Sequence, residues 1–371
     1  SLKLPFRQGS KDPDKIFDKL ALPFPPYKHQ EKAFDRLKAP ASQSTLVATG
    51  TGSGKTECFL YPILDYCLQN PEKRGIKAIL IYPMNALATD QARRLAQLIN
   101  ESPNAKGNVR AGLFIGGESG NTTAVMTEES VITAKDTLRD SPPDILLTNY
   151  KMLDLLMIRP DDKRLWNLNE PDTLKYLVVD ELHTFDGAQG TDLACLIRRL
   201  KRRLRTPEES LCCVGTSATL GSEEELDDLT EYAQAIFGEP FAGKGAVVTE
   251  DLLTDAEFVT GRFIKHTHMP EPGDREKLNP GSYKTPEDYL GAQYRLWFQA
   301  EPPPDVNDEG WRVQLGEDLR EHSFFRNLLL FFRDGLVNES KLLHELSQMD
   351  KAFEDETFAK EVIDSLISLA S

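Results

Sequence analysis

The sequence predicts a doubly wound α/β domain with a mostly parallel sheet, followed by a mainly helical insertion or cap. Three observations point there. Between residues 45 and 237, short apolar segments alternate with amphipathic ones. The short segments are continuous runs of Val, Ile and Leu, which suits parallel strands covered on both faces. The first of them, Thr45-Leu46-Val47-Ala48, runs straight into the glycine-rich stretch 49–56 and then into an amphipathic run.

In order, residues 1–44 read as a short helical lead-in. Strands are expected at 45–49, 77–82, 109–115, 144–149, 174–180 and 211–217. Helices are expected at 54–69, 86–100, 150–157, 187–205 and 223–237. Right-handed crossovers link such strands, and ligands bind at their carboxyl ends. Loop 49–56, Asp180-Glu181 and Ser217-Ala218-Thr219 all follow strands, so they should converge on one edge of the sheet. Residues 240–305 lack periodicity and carry Pro270-Glu271-Pro272-Gly273 and Pro302-Pro303-Pro304. They read as an irregular insertion with one helix at 286–298. The pattern turns helical again from 316. His322 to Arg333 is apolar on one side, Asn338 caps 339–347, and Asp355 caps 356–370. The expected division is therefore 1–44, 45–239 and 240–371.

The 40% hydrophobic and 28% charged content is that of a soluble globular protein. No apolar run approaches the ~20 residues that cross a bilayer, and no secretory signal follows Ser1, so no membrane partner is expected. Cys58, Cys67, Cys195, Cys212 and Cys213 form no C-x-x-C. They read as small reduced residues, mostly in the core, of a cytoplasmic protein. The net charge of −15 argues against indiscriminate coating of nucleic acid, but a channel can be basic on an acidic protein. The basic run Arg198, Arg199, Lys201, Arg202, Arg203, Arg205 ends a long predicted helix, where cations meet the negative helix end. His266 and His268 form an H-x-H pair without a nearby ligand cluster, and read as surface residues.

The chemistry concentrates in three segments. In Thr49-Gly50-Thr51-Gly52-Ser53-Gly54-Lys55-Thr56, backbone N–H groups can converge on a triphosphate at a helix N-terminus. Lys55 would reach the β/γ-phosphates, and the Thr56 hydroxyl would face magnesium. Thr49 stands where the strict pattern has Gly. In Tyr176-Leu177-Val178-Val179-Asp180-Glu181-Leu182-His183, an apolar strand delivers two adjacent acids. Such a pair can be ordinary turn residues. Beside a phosphate loop, the first acid would hold the metal and the second would orient the attacking water. The third segment, Val214 to Gly221, offers small hydroxyl residues at a strand end.

Together these segments resemble motifs I, II and III of superfamily 2 DExH-box helicases. Tyr82 to Ala88 with Asp90-Gln91 resembles motif Ia, and Thr148-Asn149-Tyr150 with Met152-Leu153 resembles motif Ib. Gly116-Gly117 resembles the turn between those two motifs. Tyr27 with His29-Gln30 is similar to the upstream adenine-reading element. Asp186-Gly187-Ala188-Gln189-Gly190 brings the chain nearest the YprA/Lhr-like branch, which includes DNA-repair helicases and helicases of antiphage systems.

The resemblance implies a RecA-like P-loop NTPase domain using ATP and Mg2+. Lys55, Asp180, Glu181 and His183 would be catalytic, with Thr56 and Asp180 on the metal. Tyr27, Gln30, Thr51, Gly52, Ser53, Gly54, Lys55 and Thr56 would bind nucleotide. Pro83, Asn85, Gly116, Gly117, Thr148 and Asn149 would contact one strand of nucleic acid through its sugar-phosphate backbone. Single-stranded or tailed nucleic acid is the expected partner, DNA favoured over RNA. Ser217, Ala218 and Thr219 would couple the acid pair to a neighbouring domain. Such motors close two RecA-like domains over ATP, and the second supplies arginine fingers. No motif IV, V or VI follows residue 221, so the chain reads as a front half. It is expected to hydrolyse ATP weakly alone. Its second domain would lie in the full-length protein, with membership of a larger complex open. The competing readings are an ATP-gated nucleic-acid scaffold and a small-molecule kinase. The Ser-Ala-Thr segment disfavours the kinase.

Overall fold

The computed structural model describes residues 5–50, 52–117, 122–218, 223–243, 245–254, 257–258, 263–302, 309–331 and 338–370. The chain divides into two compact units. One spans residues 6–251, and the other is formed mainly by residues from 252 onward.

The first unit is built on seven strands: β1 (Thr45–Ala48), β2 (Ala78–Tyr82), β3 (Ala111–Phe114), β4 (Ile145–Asn149), β5 (Tyr176–Val179), β6 (Cys212–Ser217) and β7 (Val247–Thr249). Their order is β3-β4-β2-β5-β6-β1-β7, and every pairing is parallel. Helices α1 (Lys28–Leu37), α2 (Lys55–Gln69), α3 (Asn85–Glu101), α4 (Lys135–Asp140), α5 (Tyr150–Ile158), α6 (Gly187–Leu204) and α7 (Glu223–Phe237) complete it. Successive strand residues point to opposite faces, so each strand feeds two cores. Val47, Leu80 and Val178 join Phe34, Phe59 and Leu95 from α1, α2 and α3. Leu46, Ile79, Ile81 and Val179 join Leu153, Leu193 and Ala233 from α5, α6 and α7. This double burial is why the strands read as unbroken apolar runs.

The sheet order sets β5, β6 and β1 side by side, with Val179 opposite Gly215 and Ala48 opposite Ser217. Gly215 is where two layers close: a Cβ there would sit 2.7 Å from Leu46 and 2.9 Å from Leu182. Strand β7 pairs with β1 within the stretch read from sequence as irregular. It has three residues, too few to show a pattern. Four cysteines are buried as expected, whereas Cys195, on α6, is exposed. Among the described residues, no helix is long and apolar enough to cross a membrane.

The second unit is helical: α8 (Arg275–Leu278), α9 (Pro286–Phe298), α10 (Glu309–Arg320), α11 (Ser323–Phe331), α12 (Glu339–Met349) and α13 (Glu356–Ala370). Its core gathers Trp297, Phe324, Leu346, Phe358 and Leu366. Trp297 Nε1 donates to Ser365 Oγ at 2.8 Å, Ser365 donates to Gln293 Oε1 at 2.7 Å, and Gln293 Nε2 donates to the Lys277 carbonyl at 2.9 Å. The chain satisfies buried polar groups that would otherwise destabilise the core. Asn338 caps α12 by accepting from Ser340 N at 3.0 Å, and Asp355 caps α13 by accepting from Thr357 N at 3.1 Å.

Candidate functional site

The carboxyl ends of β1, β5 and β6 bring the phosphate loop, the acid pair and the small-residue segment together. Gly54, with φ of 76°, is the N-cap of α2 and turns the chain from loop into helix. An added Cβ at that residue would lie 2.3 Å from Gln30 Nε2. The positive φ favours glycine, and any side chain there would push the Gln30 amide out of its place. The loop is braced from inside by Thr49 Oγ1 and Ser53 Oγ, 2.7 Å apart, and from α1 by His29 Nε2, 2.8 Å from the Ser53 carbonyl oxygen. Gly50 N donates to Glu250 Oε2 at 3.1 Å, just beyond β7. Gly52 has φ of 78°; Thr51 lies outside the described residues.

Lys55 Nζ stands 3.5 Å from Glu181 Oε1 and donates to the Ser217 carbonyl at 3.4 Å. The lysine thus spans all three strand ends. Glu181 has φ of 50° and ψ of 50°, a left-handed conformation that costs a non-glycine residue energy and clusters at functional sites. Thr216 Oγ1 fixes the acid pair: it donates to Asp180 Oδ1 and accepts from Glu181 N at 3.0 Å. Burial pushes the Asp180 carboxyl above the usual carboxylate range. The Thr216 bond and the Lys55 charge oppose this, and the Glu181 charge adds to it. His183 Nδ1 lies 3.1 Å from Ser217 Oγ and 3.5 Å from Glu181 Oε2. Ala218 follows β6, and Thr219 lies outside the described residues.

The phosphate loop and the acid pair border a cavity of about 340 Å³, lined by Lys55, Thr56, Asp180 and Glu181 among others. The Thr56 hydroxyl and Asp180 carboxylate are hard oxygen donors in its lining, the chemistry magnesium takes. Leu87, Gln91 and Arg94 of α3 also line it. Arg94 Nη2 pairs with Glu57 Oε1 at 2.6 Å, joining α3 to α2.

Gln30 is buried, its Nε2 donating to the Gly54 carbonyl at 3.3 Å and its Oε1 accepting from Tyr27 N at 2.9 Å. The Tyr27 ring stacks on His29 with centroids 5.7 Å apart, and Phe6 packs on both. The element therefore touches the phosphate loop directly.

The six strand-contact candidates divide. Asn149 Nδ2 donates to Asn85 Oδ1 at 2.5 Å, and Asn85 Nδ2 donates to the Gly116 carbonyl at 3.2 Å. This links the ends of β2, β3 and β4. Pro83 is half-buried, and Gly117, with φ of 94°, is exposed. Thr148 is fully buried, and its hydroxyl donates to the Phe114 carbonyl at 2.7 Å. Its side chain is occupied within the sheet.

Most of the basic run is engaged along α6. Arg199 pairs with Asp154 and Lys201 with Glu239; Arg198 reaches the Ala235 carbonyl at 3.0 Å. The expectation for His266 is corrected. It is half-buried, with Nε2 3.6 Å from Asp318 Oδ1. Sequence reading also passed over Thr216, His29, Glu250 and Arg94. His29 and Thr216 stood inside quoted segments, so position next to a motif was the available signal. Glu250 and Arg94 gave none.

A parallel sheet with a phosphate loop after β1 and an acid pair after β5, one strand apart across β6, defines the P-loop class of nucleoside-triphosphate-binding proteins. Within it, the chain belongs to the DEAD/DEAH box helicase family, whose model matches residues 27–228. It is 31% identical to the ATP-dependent helicase YprA of Bacillus subtilis over 202 residues, covering 54% of this chain and 24% of that protein. It is 27% identical to the Druantia protein DruE of Escherichia coli over 308 residues, covering 57% of this chain and 17% of that protein. A crystal structure of the DUF1998 helicase MrfA bound to DNA matches with a TM-score of 0.50 and 27% identity, over 66% of this chain and 29% of that one. With similarity to Lhr-Core of Methanocaldococcus jannaschii, 26% identical over 200 residues (53% of this chain, 21% of that protein), these relatives place the chain in the YprA/Lhr-like branch of superfamily 2. The chain spans less than a third of the length of each of these relatives.

Proposed function

We propose that this chain is the ATP-binding half of a nucleic-acid-dependent motor, a helicase or translocase that acts on DNA. The observation that carries the reading is Lys55, held 3.5 Å from Glu181 and 3.4 Å from the Ser217 carbonyl. A triphosphate on the loop would draw the ammonium onto its β/γ oxygens and release Glu181 to orient water. Thr56 and Asp180 are the residues to hold Mg2+, which when bound neutralises phosphate charge. Gln30 and Tyr27 would read adenine, and His183 with Ser217 would relay the state of the acid pair to a neighbouring domain. Pro83, Asn85, Gly116, Gly117 and Asn149 form the strand surface, and position 148 contributes through its backbone.

Among the described residues bordering the cavity, the one guanidinium is that of Arg94, and Glu57 already holds it. Arginine fingers would come from a second RecA-like domain, so this chain alone should turn over slowly. Such fingers contribute about 10³–10⁵ in rate in related systems. The similarity to MrfA, whose structure contains DNA, supports DNA over RNA. A role in repair or antiphage defence, in the cytoplasm and within a larger complex, is the reading that the branch supports. Strand β7 and Glu250 belong with the ATPase sheet, so the accessory region expected at 240–371 would begin only after residue 251.

The test is Glu181→Gln in the chain joined to its second motor domain. The variant should bind ATP, fail to hydrolyse it and remain on its strand. Hydrolysis at the wild-type rate would remove Glu181 from the mechanism. Unaltered strand release with hydrolysis abolished would favour an ATP-gated scaffold.

A further inference from the structure

We propose that the helical unit carries a site for one divalent transition-metal ion, formed by His266, Asp318 and Glu321. It is separate from the nucleotide site and does not depend on how that site is read. The three side chains offer one imidazole nitrogen and two carboxylate oxygens, all within 4.8 Å of one another. Asp318 and Glu321 are almost fully buried, at 10% and 5% side-chain exposure, and His266 retains 23%.

The spacing is informative. His266 Nε2 lies 3.6 Å from Asp318 Oδ1. That is too long for a hydrogen bond, which closes to about 2.7–3.2 Å. It is close to the edge of a tetrahedron of ligands about 2.0–2.1 Å from zinc, an edge of roughly 3.4 Å. Imidazole with carboxylate suits zinc and its first-row neighbours.

The donors are held before any ion arrives. Backbone bonds run from Lys265 N and His266 N to the Glu321 carbonyl at 2.9 and 3.2 Å, and from Ser323 N to the His266 carbonyl at 2.9 Å. They lock the histidine segment beside the end of α10. The His266 ring meets Phe298 edge-on at 5.1 Å, which fixes its plane. Tyr294 OH donates to Asp318 Oδ2 at 2.6 Å and Gln314 Nε2 donates to Oδ1 at 3.1 Å, the kind of outer contacts that orient a ligating carboxylate. Charge points the same way. His266 faces Asp318 within salt-bridge distance, and Lys265 Nζ meets Glu321 Oε2 at 2.7 Å. A divalent ion would set positive charge against two buried carboxylates, with water to complete its coordination.

The experiment is zinc binding by the chelator-stripped chain, without nucleotide or magnesium, followed by calorimetry and elemental analysis. Co2+ serves as a spectroscopic probe of coordination. Wild type should take up one Zn2+ per chain, and Co2+ should give the intense visible band of a four-coordinate site. His266→Gln and Asp318→Asn should each weaken Zn2+ at least about 100-fold, a larger loss than the 10–100-fold typical of outer-contact changes. His344→Gln, at an exposed histidine elsewhere in the unit, should leave binding unchanged. ATP-analogue binding by every variant verifies that the chain is folded. Absence of stoichiometric zinc in wild type, or equal uptake by His266→Gln and Asp318→Asn, would overturn the proposal and leave a plain histidine–carboxylate pair.

Discussion

Thr216→Val separates a mechanical from an incidental role for the hydroxyl that joins the acid pair. Thr216 is fully buried; its Oγ1 donates to Asp180 Oδ1 and accepts from Glu181 N at 3.0 Å. Valine keeps the shape and removes both bonds. A hydrogen bond to a charged group is worth about 1.5–3 kcal/mol, and one pKa unit corresponds to about 1.4 kcal/mol. Losing the bond should therefore raise the Asp180 pKa further above a value that burial already lifts. The sign follows: the carboxylate holds the metal only when ionised, so magnesium-dependent nucleotide affinity is present at neutral pH and lost as pH falls through the folded pKa. In the variant that loss begins at higher pH. Because the folded pKa lies above the unfolded one, ionised Asp180 subtracts stability at neutral pH, and the variant subtracts more. Its deficit of roughly 1–3 kcal/mol should shrink as pH falls. The assay is equilibrium binding of a fluorescent ATP analogue, with and without Mg2+, from pH 5 to 9. Thr216→Ser should restore the wild-type profile. Superimposable profiles for wild type and Thr216→Val would show that the hydroxyl does not set the charge state of Asp180.

Two further predictions concern the loop and the strand surface. Gly54→Ala places a Cβ 2.3 Å from Gln30 Nε2 at φ of 76°, a region that costs an L-residue about 1–2 kcal/mol. ATP-analogue affinity should fall at least about tenfold; unchanged affinity in filter binding would show that the loop tolerates a side chain. Thr148→Val removes the bond to the Phe114 carbonyl and should cost about 1 kcal/mol in urea denaturation with single-strand affinity preserved. A large loss of strand affinity at unchanged stability would mean that this hydroxyl leaves the sheet to reach nucleic acid.

Much of the sheet was legible because its strands are buried on both faces. Runs such as Ala78–Tyr82 and Tyr176–Val179 carry no alternation that a solvent-facing sheet would impose. Val247–Thr249 escaped because three residues at an edge carry no period. Lys55, Asp180 and Glu181 were legible because the chemistry requires those residue types within one short segment each. The groups that support them act across the fold: His29 reaches a loop 24 residues away, Arg94 meets Glu57 across 37, and Glu250 meets Gly50 across 200. His266 misled for the same reason, since Asp318 and Glu321 lie far downstream and only the packing of α10 brings them to it.

The central claim is that Lys55, Thr56, Asp180 and Glu181 form an ATP site completed by a second motor domain. Its most direct test is Mg2+-ATP binding and turnover by this chain and by Lys55→Ala, each with and without single-stranded DNA. The wild-type chain should bind one ATP, Lys55→Ala should lose that binding, and turnover should stay slow with DNA present. Rapid DNA-stimulated hydrolysis by the chain alone, or ATP binding indifferent to Lys55→Ala, would contradict it.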